Sequence, residues 1–454
     1  MPRTNTILDA IGNTPLVRLH KLTAGISSTI DVKVEALNPG GSVKDRPALY
    51  MVEAAERAGL LKPGGTLIEA TAGNTGAGLA QVAAVKGYKL IVVLPDKMSG
   101  EKIGLLRAYG AEVVITPSAV PPDSPEAYNN VAARLAREIP GAFRPAQFDN
   151  PDNPLAHYLS TGPEIWNDAQ GEIDVFVASM GTCGTISGIG KFLKEKNPAI
   201  TVVGADPEGS ILSGDTPRPY KVEGIGEDFI PKTFNRQVVD EMVRVSDKDS
   251  FNTARRLARE EGILSGGSSG TALHAALVYA RRLSEPKRIV VLLPDTGRNY
   301  ITKLYSDAWM RENNFWEDAH APDVPVGSLL AKKEHLPSLI SVDPRDKLSR
   351  AISLIAVHQI SQIPVIENGV IVGSLNESSV MKTLHDGLQP EVQEIRGVMG
   401  APLPALDEAA DLSEAYRLLF AGSPAIVITR DRKPYGVVTR FDVISQLSHS
   451  HGRL

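Results

Sequence analysis

Short apolar runs alternate with longer amphipathic stretches between residues 30 and 310. The runs are rich in β-branched residues and end at Gly, Pro or Asp, which is typical of buried strands. The predicted strands are Leu90–Leu94, Val113–Ile115, Val175–Ala178, Val202–Ala205 and Ile289–Leu293. Between them the pattern changes to a helical period, as in Asp45–Ala58 and Thr185–Lys196. This alternation predicts βαβ units and an α/β fold with mostly parallel sheets.

The alternation stops near residue 312. Asn313–Gly327 contains prolines and polar residues without a regular apolar period, which indicates an interdomain linker. Beyond it the chain repeats itself: Ser341–Pro344 resembles Ala405–Glu408, and Ile363–Ile366 resembles Ser423–Ile426. Each copy is predicted to run helix, strand, turn, strand, helix. A unit of about 60 residues buries its apolar face poorly alone, so we expect the two copies to pack together.

These patterns predict domains of very unequal size, which chain length alone does not indicate. The 454 residues correspond to about three average domains. The patterns instead predict one large domain at 1–312, a linker at 313–334, and two repeat domains at 335–392 and 393–454.

Composition and charge exclude several classes of protein. Hydrophobic residues make up 42% and the net charge is −5, without a basic stretch, which argues against a nucleic-acid-binding protein. The single cysteine cannot form an intramolecular disulfide, and no Cys/His cluster indicates a zinc site or other metal site. There is no signal-peptide pattern and no long uninterrupted apolar run, so we expect a cytoplasmic protein without membrane spans.

A glycine-rich segment before the first long helix contains a candidate nucleophile. In Asn38–Arg46 (NPGGSVKDR), the glycines allow a tight turn, and Asp45 is a candidate N-cap for the helix that follows. Lys44 lies at the positive end of that helix, where its protonated form is disfavoured. A neutral amine suits a nucleophile or Schiff-base partner. The alternative is an ordinary solvated surface lysine.

Three further segments open helices. Thr71–Gly78 (TAGNTGAG) and Gly181–Thr185 (GTCGT) each follow a predicted strand and expose backbone N–H groups that can hold an anion. Neither matches a dinucleotide fingerprint or a Walker A loop. Leu264–Gly270 (LSGGSSG) offers Ser268, either as a helix cap or as a hydroxyl directed at a ring nitrogen. Each motif is weak alone, but together they indicate a phosphate-bearing cofactor and an imine-forming lysine, which pyridoxal phosphate satisfies.

In this order and spacing the four motifs resemble the fold type II pyridoxal-phosphate enzymes, a family that includes cysteine synthases and cystathionine β-synthases. The resemblance covers about residues 5–312 and implies two α/β lobes around the cofactor. It implies that Lys44 forms the Schiff base and moves the α-proton, that Asn74 bonds the cofactor's 3′-oxygen and that Ser268 faces the pyridine nitrogen. The residues implied to bind the phosphate are Gly181, Thr182, Cys183, Gly184 and Thr185. The residues implied to bind the substrate are Ser42, Thr71, Ala72, Thr75 and Gln147.

Two further segments, Val222–Pro231 and Leu293–Met310, resemble cystathionine β-synthases rather than cysteine synthases. The C-terminal repeat resembles a pair of CBS domains, the regulatory module of many members of that family. Vertebrate members carry a haem-binding extension with Cys and His ligands, so a single cysteine, inside the phosphate motif, predicts no haem. Phe148 and Glu227 stand where vertebrate members have tyrosines.

In CBS domains a Thr and an Asp near the second strand often hold a ribose, and Thr439 and Asp442 match them here. An adenosine-type effector, such as S-adenosylmethionine, is therefore one prediction, and a simple helix cap at Asp442 or a purely assembling module is the alternative.

The resemblance implies a lyase that condenses L-serine with L-homocysteine to L-cystathionine, and that releases hydrogen sulfide from cysteine plus homocysteine. It also implies a homodimer or higher homo-oligomer. Two alternatives stay open: an O-acetylserine-dependent cysteine or cystathionine synthase, and a non-catalytic sensor of adenine nucleotides.

Overall fold

The structure is a computed structural model of the chain. It describes residues 4–71, 73–96, 98, 100–121, 123–316, 325–330, 339–410, 412–420 and 422–443. The chain divides into two compact units, Met1–Glu317 and Asp318–Leu454. Within the described ranges, none of the helices has the length and apolar character needed to cross a lipid bilayer.

The first unit contains two sheets. Its strands are β1 (Leu16–Arg18), β2 (Thr29–Val34), β3 (Thr66–Ala70), β4 (Lys89–Pro95), β5 (Glu112–Thr116), β6 (Ala142–Phe143), β7 (Val175–Ser179), β8 (Thr201–Pro207), β9 (Glu241–Val245) and β10 (Arg288–Leu293). The larger sheet has the order β1-β2-β10-β7-β8-β9 and the smaller one β5-β4-β3-β6. All neighbours run parallel except β1, which pairs with β2 antiparallel. The mostly parallel sheets and the predicted strands are confirmed.

Helices connect these strands and cover the sheets. They are α1 (Asp45–Arg57), α2 (Asn74–Lys86), α3 (Gly100–Ala108), α4 (Tyr128–Glu138), α5 (Asp152–Ala156), α6 (Gly162–Asp168), α7 (Gly184–Lys196), α8 (Asp247–Glu261), α9 (Gly267–Arg282) and α10 (Asp307–Glu312). A π turn at His157–Thr161 joins α5 to α6 without a break.

Each sheet buries apolar side chains on both faces. On the larger sheet, Leu257 and Leu273 of α8 and α9 pack on one face, and Ile189 of α7 packs on the other. On the smaller sheet, Leu79 of α2 and Val131 of α4 lie in two separate clusters. Two sheets, each with its own apolar clusters, account for the predicted two-lobed architecture.

The prediction that Asp45 caps α1 is wrong. The helix begins at Asp45 itself, directly after Lys44. The Asp45 carboxylate instead accepts a hydrogen bond from the backbone N–H of Gly40, at 2.5 Å. It therefore closes the glycine turn that precedes the helix. The alternative that Ser268 caps a helix is also wrong, because α9 begins at Gly267 after Gly266 and Ser268 lies within its first turn.

The second unit contains the two repeats. Its strands are β11 (Gln362–Glu367), β12 (Val370–Asn376), β13 (Ala405–Asp407), β14 (Ala425–Arg430) and β15 (Lys433–Thr439), and its helices are α11 (Leu348–His358), α12 (Glu377–His385) and α13 (Leu412–Phe420). Each repeat is built on an antiparallel hairpin, β11–β12 or β14–β15. Ile371 of the first repeat packs against Leu403, Ala425 and Val427 of the second, so the copies share a core.

A short turn at Val326–Leu329 lies inside the region predicted as linker. Val326 and Leu329 are buried in the core of the second repeat. The backbone N–H of Val326 donates to Ala410 O at 2.9 Å, which ties this turn to that repeat.

Candidate active site

A cavity of about 910 Å³ opens in the first unit, and the four sequence motifs meet in its wall. The motif segments follow the carboxyl ends of β3, β7 and β10 or lie against them. Ligands bind at this edge of open parallel sheets because the loops and helix N-termini converge there. The sequence motifs, distant along the chain, are therefore parts of one site.

Lys44 lies at the first turn of α1 and lines this cavity. The backbone N–H of Val43 donates to Pro294 O at 2.7 Å, so the lysine segment is anchored to the end of β10. Burial lowers the pKa of the Lys44 ammonium, although Cys183, Glu227 and Asp295 act in the opposite direction. A neutral amine is therefore favoured, as a nucleophile or a base requires.

Asn74 and Ser268 meet at a buried carboxyl group. Asp295 Oδ2 accepts from Asn74 Nδ2 at 2.9 Å and from the Tyr300 hydroxyl at 2.7 Å. Ser268 Oγ lies 3.5 Å from Asp295 Oδ1. Burial raises the pKa of Asp295, while the bonds from Tyr300 and Asn74 lower it. Asp295 thus links the residue expected at the cofactor's 3′-oxygen, Asn74, with the one expected at its pyridine nitrogen, Ser268.

Three of the predicted substrate residues, Thr71, Thr75 and Gln147, line the same cavity as Lys44. Thr75 Oγ1 donates to Gln147 Oε1 at 2.6 Å, and both side chains are buried. Thr71 is buried in the same cavity wall. Ser42 accepts a hydrogen bond from the Lys44 backbone N–H at 3.2 Å and is buried. Ala72 lies outside the described residues. Hydroxyl and amide groups that converge in this way can bind a carboxylate.

The GTCGT segment forms a cradle between β7 and α7. A Cβ at Gly181 would come within 2.7 Å of Gly224 O, and one at Gly184 within 2.2 Å of Asn153 Oδ1, so both positions require glycine. Thr182 Oγ1 accepts from Asn153 Nδ2 at 3.3 Å, and Thr185 Oγ1 lies 3.3 Å from His157 Nε2. The segment presents hydroxyl groups at the N-terminus of a 13-residue helix, which suits a phosphate group.

Cys183 is buried in the middle of this cradle, between Thr182 and Gly184. Its φ of +59° lies in the left-handed region, which residues other than glycine seldom adopt. Burial raises the pKa of its thiol far above the ordinary value. The thiol stays protonated and is a poor nucleophile. The position of Cys183 is consistent with its predicted place in the phosphate loop, and its protonated thiol does not indicate a catalytic role.

Glu227 and Phe148 also line the cavity. The pKa of the Glu227 carboxyl is raised to about 7, mainly by burial and then by Asp228, while Lys44 acts to lower it. The Glu227 backbone is held by Ser210, whose Oγ accepts from its N–H at 3.1 Å. The Phe148 and Phe229 rings pack edge to face at 5.2 Å. These two positions therefore give the cavity an ionisable carboxyl group and an apolar ring.

The candidate effector residues lie in the second unit. Asp442 Oδ2 accepts from the Thr439 backbone N–H at 2.7 Å and from its hydroxyl at 2.8 Å. In the first repeat, Asn376 Oδ1 accepts from the Ser379 N–H at 2.8 Å, which caps α12. Asp442 therefore stands at the position of Ser379, whose Oγ likewise accepts from the Asn376 backbone N–H, at 3.0 Å, in the first repeat.

Sequence reasoning missed three residues of the site. Asp295 and Tyr300 follow β10, and a signal was present, because polar residues after a buried parallel strand face the ligand edge. His157 contacts the phosphate cradle from the π turn, and nothing in its sequence neighbours indicated that contact. Among the described residues, no group of three or more His, Cys, Asp or Glu side chains is arranged to hold a metal ion.

The residues present fit pyridoxal phosphate. The glycine cradle fits a phosphate, and Lys44 lines the same cavity. Ser179 Oγ is buried at the cavity wall and finds no hydrogen-bond partner within the described part of the chain, which leaves it available to a ligand. This donor set would therefore hold a phosphate-bearing aldehyde with its carbonyl toward the lysine.

Comparison with known proteins agrees with this geometry. The model of the pyridoxal-phosphate-dependent enzyme family matches residues 7–295, and the CBS-domain model matches residues 333–386 and 392–449. Cystathionine beta-synthase of Mus musculus is 43% identical over 95% of this chain and 80% of the mouse protein. The enzymes of Dictyostelium discoideum and Saccharomyces cerevisiae are 38% and 39% identical, each over 98% of this chain and over 93% and 98% of the relative.

Solved structures give the same result for the first unit. A hydrogen sulfide-producing enzyme from Fusobacterium nucleatum matches with a TM-score of 0.63 and 41% identity, over 66% of this chain and 98% of that one. O-ureido-L-serine synthase matches with a TM-score of 0.64 and 40% identity, over 68% of this chain and all of that one. The chain belongs to the cystathionine beta-synthase family of pyridoxal-phosphate-dependent lyases and carries the CBS-domain pair of that family.

Proposed function

We propose that this enzyme condenses L-serine with L-homocysteine to form L-cystathionine and water. The observation that carries the proposal is the shared cavity, in which Lys44 with its lowered pKa, the phosphate cradle and the Thr75–Gln147 pair meet. Relatives named cystathionine beta-synthase that align over nearly the whole chain support the choice of reaction.

In this proposal each part of the site has one task. Bound pyridoxal phosphate supplies an electron sink that makes the α-proton of an amino acid acidic. Gly181, Thr182, Cys183, Gly184 and Thr185 hold the phosphate, while Asn74 and Ser268 orient the ring. Thr71, Thr75 and Gln147 bind the substrate carboxylate, together with Ser42 and Ala72. These assignments rest on the burial and contacts of the described members.

Lys44 then moves the proton. Its neutral amine can accept the proton from Cα of serine, because burial disfavours the ammonium form. The resulting ammonium can donate that proton to the departing hydroxyl, which leaves as water. Lys44 then takes the proton of the homocysteine thiol as the sulfur bonds to Cβ, and it returns that proton to Cα. One lysine can serve all these transfers because Cα and Cβ are adjacent.

Product identification tests the reaction. Purified enzyme is incubated with L-serine or O-acetyl-L-serine, each with homocysteine, sulfide or cysteine, and the products are identified by mass spectrometry. We expect cystathionine from serine plus homocysteine, and none from Lys44→Ala. A preference for the acetyl ester of about 100-fold in kcat/KM, which is about 2.7 kcal/mol, would overturn serine as the substrate and favour the O-acetylserine alternative. Absence of any product from the wild type in every combination, with pyridoxal phosphate added, would favour the non-catalytic sensor.

Hydrogen sulfide release is a second activity that a relative supports. The structural relative from Fusobacterium nucleatum is described as hydrogen sulfide-producing. Here the thiolate of L-cysteine would leave from Cβ in place of the serine hydroxyl, with homocysteine as the acceptor. Sulfide electrode measurements with cysteine plus homocysteine test this, and absence of sulfide at saturating substrates contradicts it.

The CBS pair is proposed to bind an adenosine-type effector near Thr439 and Asp442. Calorimetry with S-adenosylmethionine, ATP, ADP and AMP tests the proposal, and no heat with any of them would leave the module an assembly element. We also propose a cytoplasmic homodimer or higher homo-oligomer without haem. Light scattering and the absorption spectrum of the purified protein test the last two points. Limited proteolysis tests the boundaries 1–312, 313–334, 335–392 and 393–454.

A further inference from the structure

A buried histidine contacts the phosphate cradle through the side chain of Thr185. His157 lies in the π turn between α5 and α6, with none of its side chain exposed. Its Nε2 lies 3.3 Å from Thr185 Oγ1, and its Nδ1 lies 2.9 Å from Thr161 Oγ1. Thr161 is also completely buried. The three side chains form a row, Thr161–His157–Thr185, which we call the hydroxyl relay.

Close packing of α7 against the π turn holds the His157 side chain in place. Its ring spans from the π turn to the first turn of α7. A Cβ at Gly188 of α7 would come within 2.1 Å of Pro154 O and 2.9 Å of His157 Cβ, so α7 lies directly against the turn. The five-residue π turn also places Thr161 beside Nδ1 of the same imidazole. π turns recur at functional sites because they redirect side chains in this way.

The protonation of the imidazole determines what the Thr185 hydroxyl can do. Burial lowers the pKa of His157 well below its ordinary value, and the nearby Arg46 guanidinium lowers it further, so the ring is neutral and carries one N–H. If Nε2 were the acceptor, Thr185 would use its only proton on the histidine. If Nε2 carries the proton, it donates to Thr185 Oγ1, and the Thr185 proton is free to bond an anion.

Thr161 permits the second of these states. Its hydroxyl can donate to Nδ1, which makes Nδ1 the acceptor and leaves the proton on Nε2. A phosphate at the cradle favours the same state, because it accepts hydrogen bonds and offers no donor to a second acceptor. All three bonds of the relay then run in one direction, from Thr161 through His157 and Thr185 toward the phosphate.

We propose that His157 is a positioning residue for the cofactor phosphate, which directs the Thr185 hydroxyl outward as a donor through the Thr161–His157–Thr185 relay. The role concerns cofactor retention and does not depend on which amino acid or thiol the enzyme uses. It therefore stands or falls separately from the proposed reaction.

Equilibrium binding of the cofactor to the apoprotein tests the relay. Dissociation constants are measured for pyridoxal 5′-phosphate and for pyridoxal, which lacks the phosphate, together with the 31P chemical shift of the bound phosphate. Gln can place an amide N–H near the position of Nε2, whereas Asn is too short to reach Thr185. We expect His157→Asn and Thr185→Val each to weaken pyridoxal phosphate about 10- to 100-fold, since hydrogen bonds to charged groups are worth about 1.5–3 kcal/mol and tenfold is about 1.4 kcal/mol.

The controls distinguish the relay from a packing role. His157→Gln and Thr185→Ser should stay within about threefold of the wild type, and none of the variants should change pyridoxal binding. Thr161→Val keeps the imidazole and should weaken pyridoxal phosphate alone. The double variant His157→Asn/Thr185→Val should bind no more weakly than Thr185→Val, because both changes remove the same hydrogen bond.

Three results would overturn the proposal. One is equal weakening of pyridoxal and pyridoxal phosphate by His157→Asn. Another is a His157→Gln variant as weak as His157→Asn with an unchanged melting temperature of the apoprotein. The third is additive losses in the double variant, which would mean that His157 and Thr185 act independently. Should His157→Asn fail to fold, the comparison of Thr161→Val with the wild type decides, and unchanged phosphate binding in Thr161→Val refutes the relay.

Discussion

Replacement of Arg46 by methionine tests the buried ion network behind the lysine segment. The Arg46 guanidinium donates to both oxygens of Glu35, at 2.7 and 2.9 Å, and to both oxygens of Glu164, at 2.7 and 2.8 Å. Glu35 is completely buried, and Arg46 is nearly so. Methionine fills much of the same volume, so the perturbation is mainly the loss of the charge and its bonds.

The magnitude follows from what remains after the substitution. Glu35 would keep hydrogen bonds from Thr14 at 2.6 Å and Asn38 at 2.7 Å, but it would lose its countercharge. Removing one partner of a buried ion pair costs about 3–5 kcal/mol, because a charge is left uncompensated. With a denaturant slope of about 3 kcal/mol per molar urea, the midpoint of the first unit falls by about 1–2 M.

Urea unfolding followed by tryptophan fluorescence measures this change, because all three tryptophans lie in the first unit. The matched control is Arg134→Met, which breaks an exposed pair with Glu138 and should change stability by less than about 1 kcal/mol. The pair with Arg46 also holds the pKa of Glu164 at about 2. Glu164 thus stabilises the fold above its usual pKa, and this contribution is lost as pH falls through 2, so the Arg46→Met deficit should shrink in acid. A deficit no larger than that of Arg134→Met would refute the reasoning.

Three further predictions concern the site and the repeats. Glu69 is buried, and burial raises its pKa to about 7, so the folded protein loses stability as the pH rises from about 4.5 to 7 and Glu69 ionises. Glu69→Gln should therefore unfold at a higher temperature than the wild type at pH 8 but not at pH 4, as measured by calorimetry. Thr75→Val leaves Gln147 Oε1 without its 2.6 Å partner and should raise KM for serine about 10- to 100-fold in steady-state assays, while Thr75→Ser should retain most of the affinity. If Asp442 acts only as a cap, Asp442→Ala should lower the free energy of unfolding by about 1 kcal/mol, as Asn376→Ala should in the first repeat, and nucleotide binding by calorimetry should be unchanged. Loss of nucleotide binding in Asp442→Ala alone would instead identify an effector contact.

The sequence determined the elements and the motifs because both are local properties. Buried parallel strands such as β7 and β10 read as continuous apolar runs, and the glycines of the cradle mark where backbones approach closely. The two repeats were visible as self-similarity, and their shared core follows from the poor burial of either copy alone. The motifs also placed Lys44 before a helix, where the structure has it.

Only the tertiary structure decided which distant side chains meet. Asp45 turned back to Gly40 instead of capping α1, because the turn offered an N–H within reach of its carboxylate. Asp295 joined Asn74, 221 residues away along the chain, and His157 reached Thr185 only because a π turn packs against a glycine of α7. Hydrophobic periodicity reports which face of an element is buried, whereas a hydrogen bond requires atoms within about 3 Å. That precision comes from the packing of whole elements, which no local pattern contains.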